Sequence, residues 1–249
     1  MSGNDMVKVR VNNMSKYFGD LHVLDNVSFD VREGEFLCIV GPTGCGKTTF
    51  LNTLTRIYDV TSGEILVNDE PVDLKKHNLA YILQENSTMS WLKVEENIRL
   101  GLEIKGLPKP EIGKKTEAAI KMVGLEKFRD YYPRQLSASM LQRVVIARAF
   151  ATEPELLLMD EPYGQLDIKL RFQLEDELVR IWQQTKTTVI FITHNIEEAV
   201  YLGERILVLT NKPTKIKEEI INNLPRPRDI ASAEFVKIRN HVTDLIKWW

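Results

Sequence analysis

Eight consecutive residues, Gly41-Pro42-Thr43-Gly44-Cys45-Gly46-Lys47-Thr48, limit what this chain can fold into more than any other stretch. They follow the apolar run "EFLCIV" and lead into "KTTFLNTLTRI", so a strand ends in a glycine-rich loop that opens a helix. Such a unit belongs to a layered α/β protein. Its glycines let the backbone wrap around a ligand, and the loop N–H groups and the helix N-terminus then converge on one point that favours negative charge. A phosphate chain fits that point. Gly41 to Thr49 would cradle it, with Lys47 reaching the β- and γ-phosphates and the Thr48 hydroxyl serving as a Mg²⁺ ligand.

The surrounding sequence supplies the layers. Short strands are predicted at "VKVRVNN", "VSFDV" and "EFLCIV", separated by turn-rich "FGD" and "REGE". From about residue 86 to 149 the pattern changes to charged segments with helical spacing, interrupted by Pro108, Pro110, Gly113, Gly124 and Pro133. This reads as a helical insert within a core of about residues 1–85 and 150–215, followed by a tail of about 216–249 that ends in "LIKWW". After the insert come "ELLLMDEP", a helix with Leu170, Leu174, Leu178 and Ile181 on one face, then "TTVIFITH" and "ERILVLT". Strands alternating with helices predict a largely parallel, doubly wound sheet. The 249 residues, 43% hydrophobic and 27% charged, suffice for one globular domain with an embedded subdomain.

"ELLLMDEP" puts Asp160 and Glu161 at the end of an apolar strand, where open α/β sheets face their ligands. Asp160 can hold Mg²⁺ through water, and Glu161 can orient or deprotonate the water that attacks a γ-phosphate.

The order of these pieces resembles the ATP-binding cassette (ABC) proteins over nearly the whole chain. The resemblance also rests on Gln84 after "AYIL", on "LSASMLQRV" at 136–144, on "GQLD" with Asp167, and on His194 in "FITHN". It implies a cassette with a RecA-like core sheet, an antiparallel β subdomain and an inserted helical subdomain. Gln84 would be a Mg²⁺ ligand and relay, His194 a γ-phosphate contact, and Phe18 the aromatic stacked on adenine, with Tyr17 as the alternative. ATP and Mg²⁺ are the implied cofactors. A narrower likeness to the nitrate, sulfonate and taurine importer branch rests on "NLPRPRD", "SAEFVKIRNHV" and "MSWLKVEENI". It implies a cassette pair on the cytoplasmic face of the membrane, beneath permease subunits that dock near Met89, Trp91 and Leu92. An extracytoplasmic solute-binding protein would supply the cargo.

In this family an "LSGGQ" type segment closes over the ATP held by a second cassette. Here Ser137 is kept, Ala138 and Ser139 stand at the two glycine positions, and Met140 at the last. If those positions have helical dihedrals the two side chains fit the backbone; if the backbone must closely approach phosphate, their β-carbons intrude. Gln165 is a second departure in an interface loop. The pair could be a homodimer, or a heterodimer in which the partner supplies an intact segment.

Composition and motif order weigh against other classes. A net charge of −2 gives no global attraction to nucleic acid. A soluble cassette ATPase that remodels nucleic acid would carry a long coiled-coil insert or a second cassette. A small-molecule kinase would have no use for Gln84, residues 136–144 and His194 in this order, and a regulatory cassette without turnover would have no use for Glu161 and His194.

Overall fold

The computed structural model describes residues 6–164 and 166–246; Gln165 and the last three residues of "LIKWW" lie outside them. The chain forms two compact units, one from the segments up to His77 and from Thr188 onward, the other from Asn78–Thr187.

The first unit opens with β1 (Val7–Phe18) and β2 (Leu21–Arg32), an antiparallel pair joined at Gly19-Asp20. Each is 12 residues long, longer than the predicted pieces. Asn13 and Asn26, which look like strand-enders, adopt positive φ (47° and 50°) and lie where the β1–β2 register shifts, so the ladder bulges and continues. β3 (Phe36–Val40) follows, then α1 (Lys47–Leu54), β4 (Ser62–Val67) and the short β5 (Glu70–Pro71). Asn68 and Asp69, both at positive φ, close the β4–β5 hairpin as a type I′ turn requires. These strands form an antiparallel sheet in the order β2-β1-β4-β5.

The second unit begins with β6 (Leu79–Ile82), followed by α2 (Val94–Ile104), α3 (Lys109–Met122), α4 (Ala138–Ala151), β7 (Leu156–Asp160) and α5 (Ile168–Thr185). β6 runs parallel to β7, with Ile82 opposite Met159. α4 is buried on most sides because it packs against α2, α3, β6 and α5. On α5, Leu174, Leu178 and Ile181 are buried as the spacing predicts, whereas Leu170 in the first turn is half-buried.

The chain returns to the first unit with β8 (Thr188–Thr193), α6 (Ile196–Leu202), β9 (Arg205–Leu209), β10 (Ile216–Ile221) and α7 (Ala233–Ile246). β3 lies between β8 and β9, parallel to both, and β10 adds to β9 in antiparallel fashion. Every residue of β3, β7 and β8 is buried, as expected of parallel strands covered on both faces. The fold is thus α/β, with a parallel core, a separate antiparallel sheet and a helical insert.

Candidate functional site

Each unit brings some of its predicted site residues to the carboxyl ends of its parallel strands, where α/β sheets bind ligands. In the first unit Val40 and Thr193 are directly opposite in the β3–β8 ladder, so the glycine-rich loop and His194 leave the sheet side by side. In the second, the Ile82–Met159 pairing makes Gln84 emerge beside Asp160 and Glu161.

The loop is shaped by backbone constraints. Gly44 (φ 77°) and Gly46 (φ 116°) take conformations that L side chains rarely adopt, and Gly46 is the N-cap of α1. Pro42 accepts a hydrogen bond from the Cys45 N–H at 3.1 Å, and the Thr214 hydroxyl donates to the Cys45 carbonyl. Lys47 is buried, and its Nζ donates to the carbonyls of Gly41 (3.0 Å) and Pro42 (3.1 Å), holding its ammonium over the loop. Burial pushes the Cys45 thiol up against the opposing pull of Lys47, so the loop carries a neutral thiol rather than an anion next to a phosphate cradle. Thr43 and Thr48 are exposed and Thr49 half-buried.

Asp160 is buried, with the Tyr81 hydroxyl 3.5 Å from its Oδ2. Glu161 has φ 46°, a left-handed conformation that costs a non-glycine residue about 1 kcal/mol. Gln84 and His194 are exposed. Taken by themselves, the loop of the first unit offers N–H groups and the Thr48 hydroxyl, groups that suit phosphate oxygens and a hard cation, and the β7 end of the second unit offers carboxylate oxygens.

Tyr17 and Phe18 are adjacent on β1 and point to opposite faces. The Tyr17 ring stacks on His22, its cross-strand partner, with centroids 4.0 Å apart. Phe18 meets Tyr58 edge-on at 5.2 Å, with Lys16 Nζ 4.8 Å from its centroid and anchored on the Asp59 carbonyl at 2.6 Å.

Ser137 is the N-cap of α4, and its Oγ accepts from the Met140 N–H at 3.4 Å. Ala138 and Ser139 are therefore the first two helical residues, the case in which their side chains fit the backbone. Ser139 Oγ lies 3.0 Å from Ser137 Oγ. Asp167 caps α5, accepting from the Leu170 N–H at 3.0 Å.

Two organising residues escape a reading of the sequence. Asn97 is fully buried on α2; its amide donates to the carbonyls of Met89, Leu92 and Lys93, and its Oδ1 accepts from the Met89 N–H at 2.8 Å. It fixes the loop that displays Trp91, which is 71% exposed. A polar residue inside the apolar pattern of α2 was the available signal. Thr214 is the other, and nothing local marks it.

The ABC transporter family model matches residues 24–164. An uncharacterized ABC transporter ATP-binding protein of Methanocaldococcus jannaschii is 44% identical over 97% of this chain and 92% of its own length. The aliphatic sulfonates import ATP-binding protein of Bacillus cereus is 40% identical over 94% of each. Among solved structures, a bacterial ABC transporter cassette determined as a dimer aligns with TM-score 0.75 and 31% identity, covering 86% of this chain and 99% of that one. A component of a Clostridium perfringens ABC transporter complex aligns with TM-score 0.81 at 24% identity, over 96% and 97%. The chain belongs to the ABC transporter ATP-binding family, and it is an ATPase of the cassette type.

Proposed function

We propose that this chain is the ATP-hydrolysing subunit of an importer, working as a cassette pair under permease subunits to drive uptake of a small anion such as a sulfonate, nitrate or taurine. The observation that carries this reading is the end-to-end likeness to the Bacillus cereus sulfonate import subunit. No helix among the described residues is long and apolar enough to cross a membrane. By likeness to that import subunit, the chain would attach peripherally to the permease subunits on the cytoplasmic face, through exposed Trp91 with Met89 and Leu92. Residues of about 86–149 would form the helical subdomain that presents this surface.

Gly41 to Thr49 hold the phosphates, and Lys47 moves from loop carbonyls to phosphate oxygens, replacing one set of acceptors with a more strongly charged one. Thr48, Asp160 and Gln84 would hold Mg²⁺, which offsets charge on the phosphate oxygens when bound. Glu161 orients the water and accepts its proton; His194 donates to the γ-phosphate. Ser137, with Ala138, Ser139 and Met140, serves the ATP of the second cassette, and Asp167 belongs to the same interface.

The adenine platform is Phe18. Phe18→Ala is expected to weaken ATP binding by roughly tenfold, since base stacking on an aromatic contributes about 1–3 kcal/mol. Binding of inorganic tripolyphosphate should not change. Tyr17→Ala, which removes a ring already covered on one face by His22, should alter ATP binding little. Titration of a fluorescent ATP analogue ranks the two, and the opposite ranking transfers the role to Tyr17.

The altered signature segment is expected to work. The purified chain should hydrolyse Mg-ATP, and the double variant Ala138→Gly, Ser139→Gly should keep kcat within about tenfold of the parent. It should also lose up to about 1 kcal/mol of stability per glycine placed in the helix. A larger gain in kcat would mean that the β-carbons intrude, and would favour a heterodimer whose partner supplies an intact segment.

A further inference from the structure

The segment Asn222–Arg228, which overlaps the "NLPRPRD" stretch that resembles the importer branch, lies well past His194, the last residue assigned to the nucleotide above. Its side chains nevertheless converge on one place, the C-terminal end of α6. Arg228 is buried, and its guanidinium donates to the carbonyls of Val200 (2.8 Å), Tyr201 (2.8 Å) and Gly203 (2.7 Å), with longer bonds to Asn222 (3.3 Å) and Leu224 (3.4 Å). Arg226 donates to the carbonyls of Tyr201 (3.1 Å) and Leu202. The Asn222 amide donates to Val200 (2.8 Å) and Gly203 (3.0 Å). All four consecutive carbonyls that close this helix are thereby satisfied by side chains, with positive charge at the negative end of its dipole.

A buried arginine beside a half-buried one is costly. Burial, aided by the neighbouring Arg226, pushes Arg228 down to about 10, and burial also lowers Arg226. An ordinary helix end needs no such arrangement, because one glycine or a few waters suffice.

The opposite end of α6 explains what is held. His194 lies between Thr193 and Asn195, and both are tied into the first turn. The Thr193 hydroxyl donates to the Glu198 carboxylate and accepts from the Asn195 N–H at 2.9 Å. Asn195 Oδ1 accepts from the N–H groups of Glu197 (2.9 Å) and Glu198 (3.4 Å). α6 has two turns, so fixing its far end fixes the axis from which the His194 backbone is suspended.

We propose that Asn222, Arg226 and Arg228 are positioning residues for His194, locking the far end of α6 so that the imidazole is presented in one place. The proposal rests on His194 being the γ-phosphate contact. It predicts a defect in turnover without a defect in ATP binding, because a group displaced by about an ångström loses much of its effect on the chemical step.

The test uses the full chain, with Arg228→Lys and Arg226→Lys, which keep the charge and lose the planar fork. Each is made in the parent and in a His194→Ala background. In the parent, kcat should fall roughly tenfold with the ATP affinity within about twofold; in the His194→Ala background the same substitutions should have little further effect. Without nucleotide, hydrogen exchange of the amides of Ala199–Gly203 should quicken roughly tenfold or more. Equal losses of kcat in both backgrounds, or α6 protection unchanged, would overturn the proposal. A His194→Ala variant with full kcat would instead sink the role given to His194, a different failure read from a different arm. If Arg228→Lys does not fold, by circular dichroism, Arg226→Lys decides by the same criteria.

Discussion

Replacing Glu161 by Gln is expected to lower kcat for Mg-ATP hydrolysis by about 10²- to 10⁴-fold, the contribution of a positioned general base. The substitution keeps the size of the side chain and removes its capacity to take a proton. ATP affinity should be unchanged, and cassette pairs should accumulate in the presence of ATP, seen as a shift to dimer on gel filtration. The backbone supports this assignment to function. Glu161 is held at φ 46° immediately after the all-buried strand β7, although the conformation suits glycine or asparagine better. Such strain collects at functional sites, and Glu161 combines it with a place at the end of a buried parallel strand. Glu161→Gly should therefore be as inactive as Glu161→Gln and more stable than it by up to about 1 kcal/mol in urea denaturation. A Gln variant retaining a tenth of the parent kcat would remove Glu161 from the chemistry.

The sequence made some of this architecture legible and concealed the rest for physical reasons. β3, β7 and β8 are largely apolar runs that lead into glycine, acid or histidine, and such runs announce parallel strands and their ligand-facing ends at once. The antiparallel sheet was harder to read. Asn13 and Asn26 look like turn residues, but each sits at positive φ within a long strand, where it makes a bulge. β4 and β5 are joined by Asn68-Asp69, a turn signal without the usual glycine. β10, at the edge of its sheet, sets Lys217, Glu218 and Glu219 between isoleucines, so the charges that protect an edge also make it resemble a tail. Among site residues, those of the glycine-rich loop form a local pattern and were visible. Arg228 was not, since its partners lie about 25 residues earlier in the chain and a sequence cannot display which carbonyls an arginine will find.

Gly46→Ala is expected to be the most damaging single-methyl change in the glycine-rich loop, while Gly44→Ala should be mild in comparison. Both glycines have positive φ, so each substitution incurs backbone strain of roughly 1–2 kcal/mol. The surroundings separate them. A β-carbon at Gly44 meets nothing within 4 Å. At Gly46 it meets Val23 Cγ1 at 2.9 Å, Leu24 Cδ2 at 3.2 Å and Thr214 Oγ1 at 3.6 Å. Val23, Leu24 and Thr214 are themselves buried, so relief requires core movement, with an overpacking cost of about 1–3 kcal/mol in addition. The displacement falls on the N-cap of α1, one residue before Lys47, and Thr214 is the residue whose hydroxyl fixes the Cys45 carbonyl. Gly46→Ala should therefore lose about 2–5 kcal/mol of stability in urea denaturation and, where it remains folded, bind ATP at least roughly 100-fold more weakly. Gly44→Ala should lose about 1–2 kcal/mol and retain binding within about tenfold. Equal losses for the two variants would show that the positive φ alone sets the requirement, and that packing of Val23, Leu24 and Thr214 against the loop contributes nothing to the shape of the phosphate cradle.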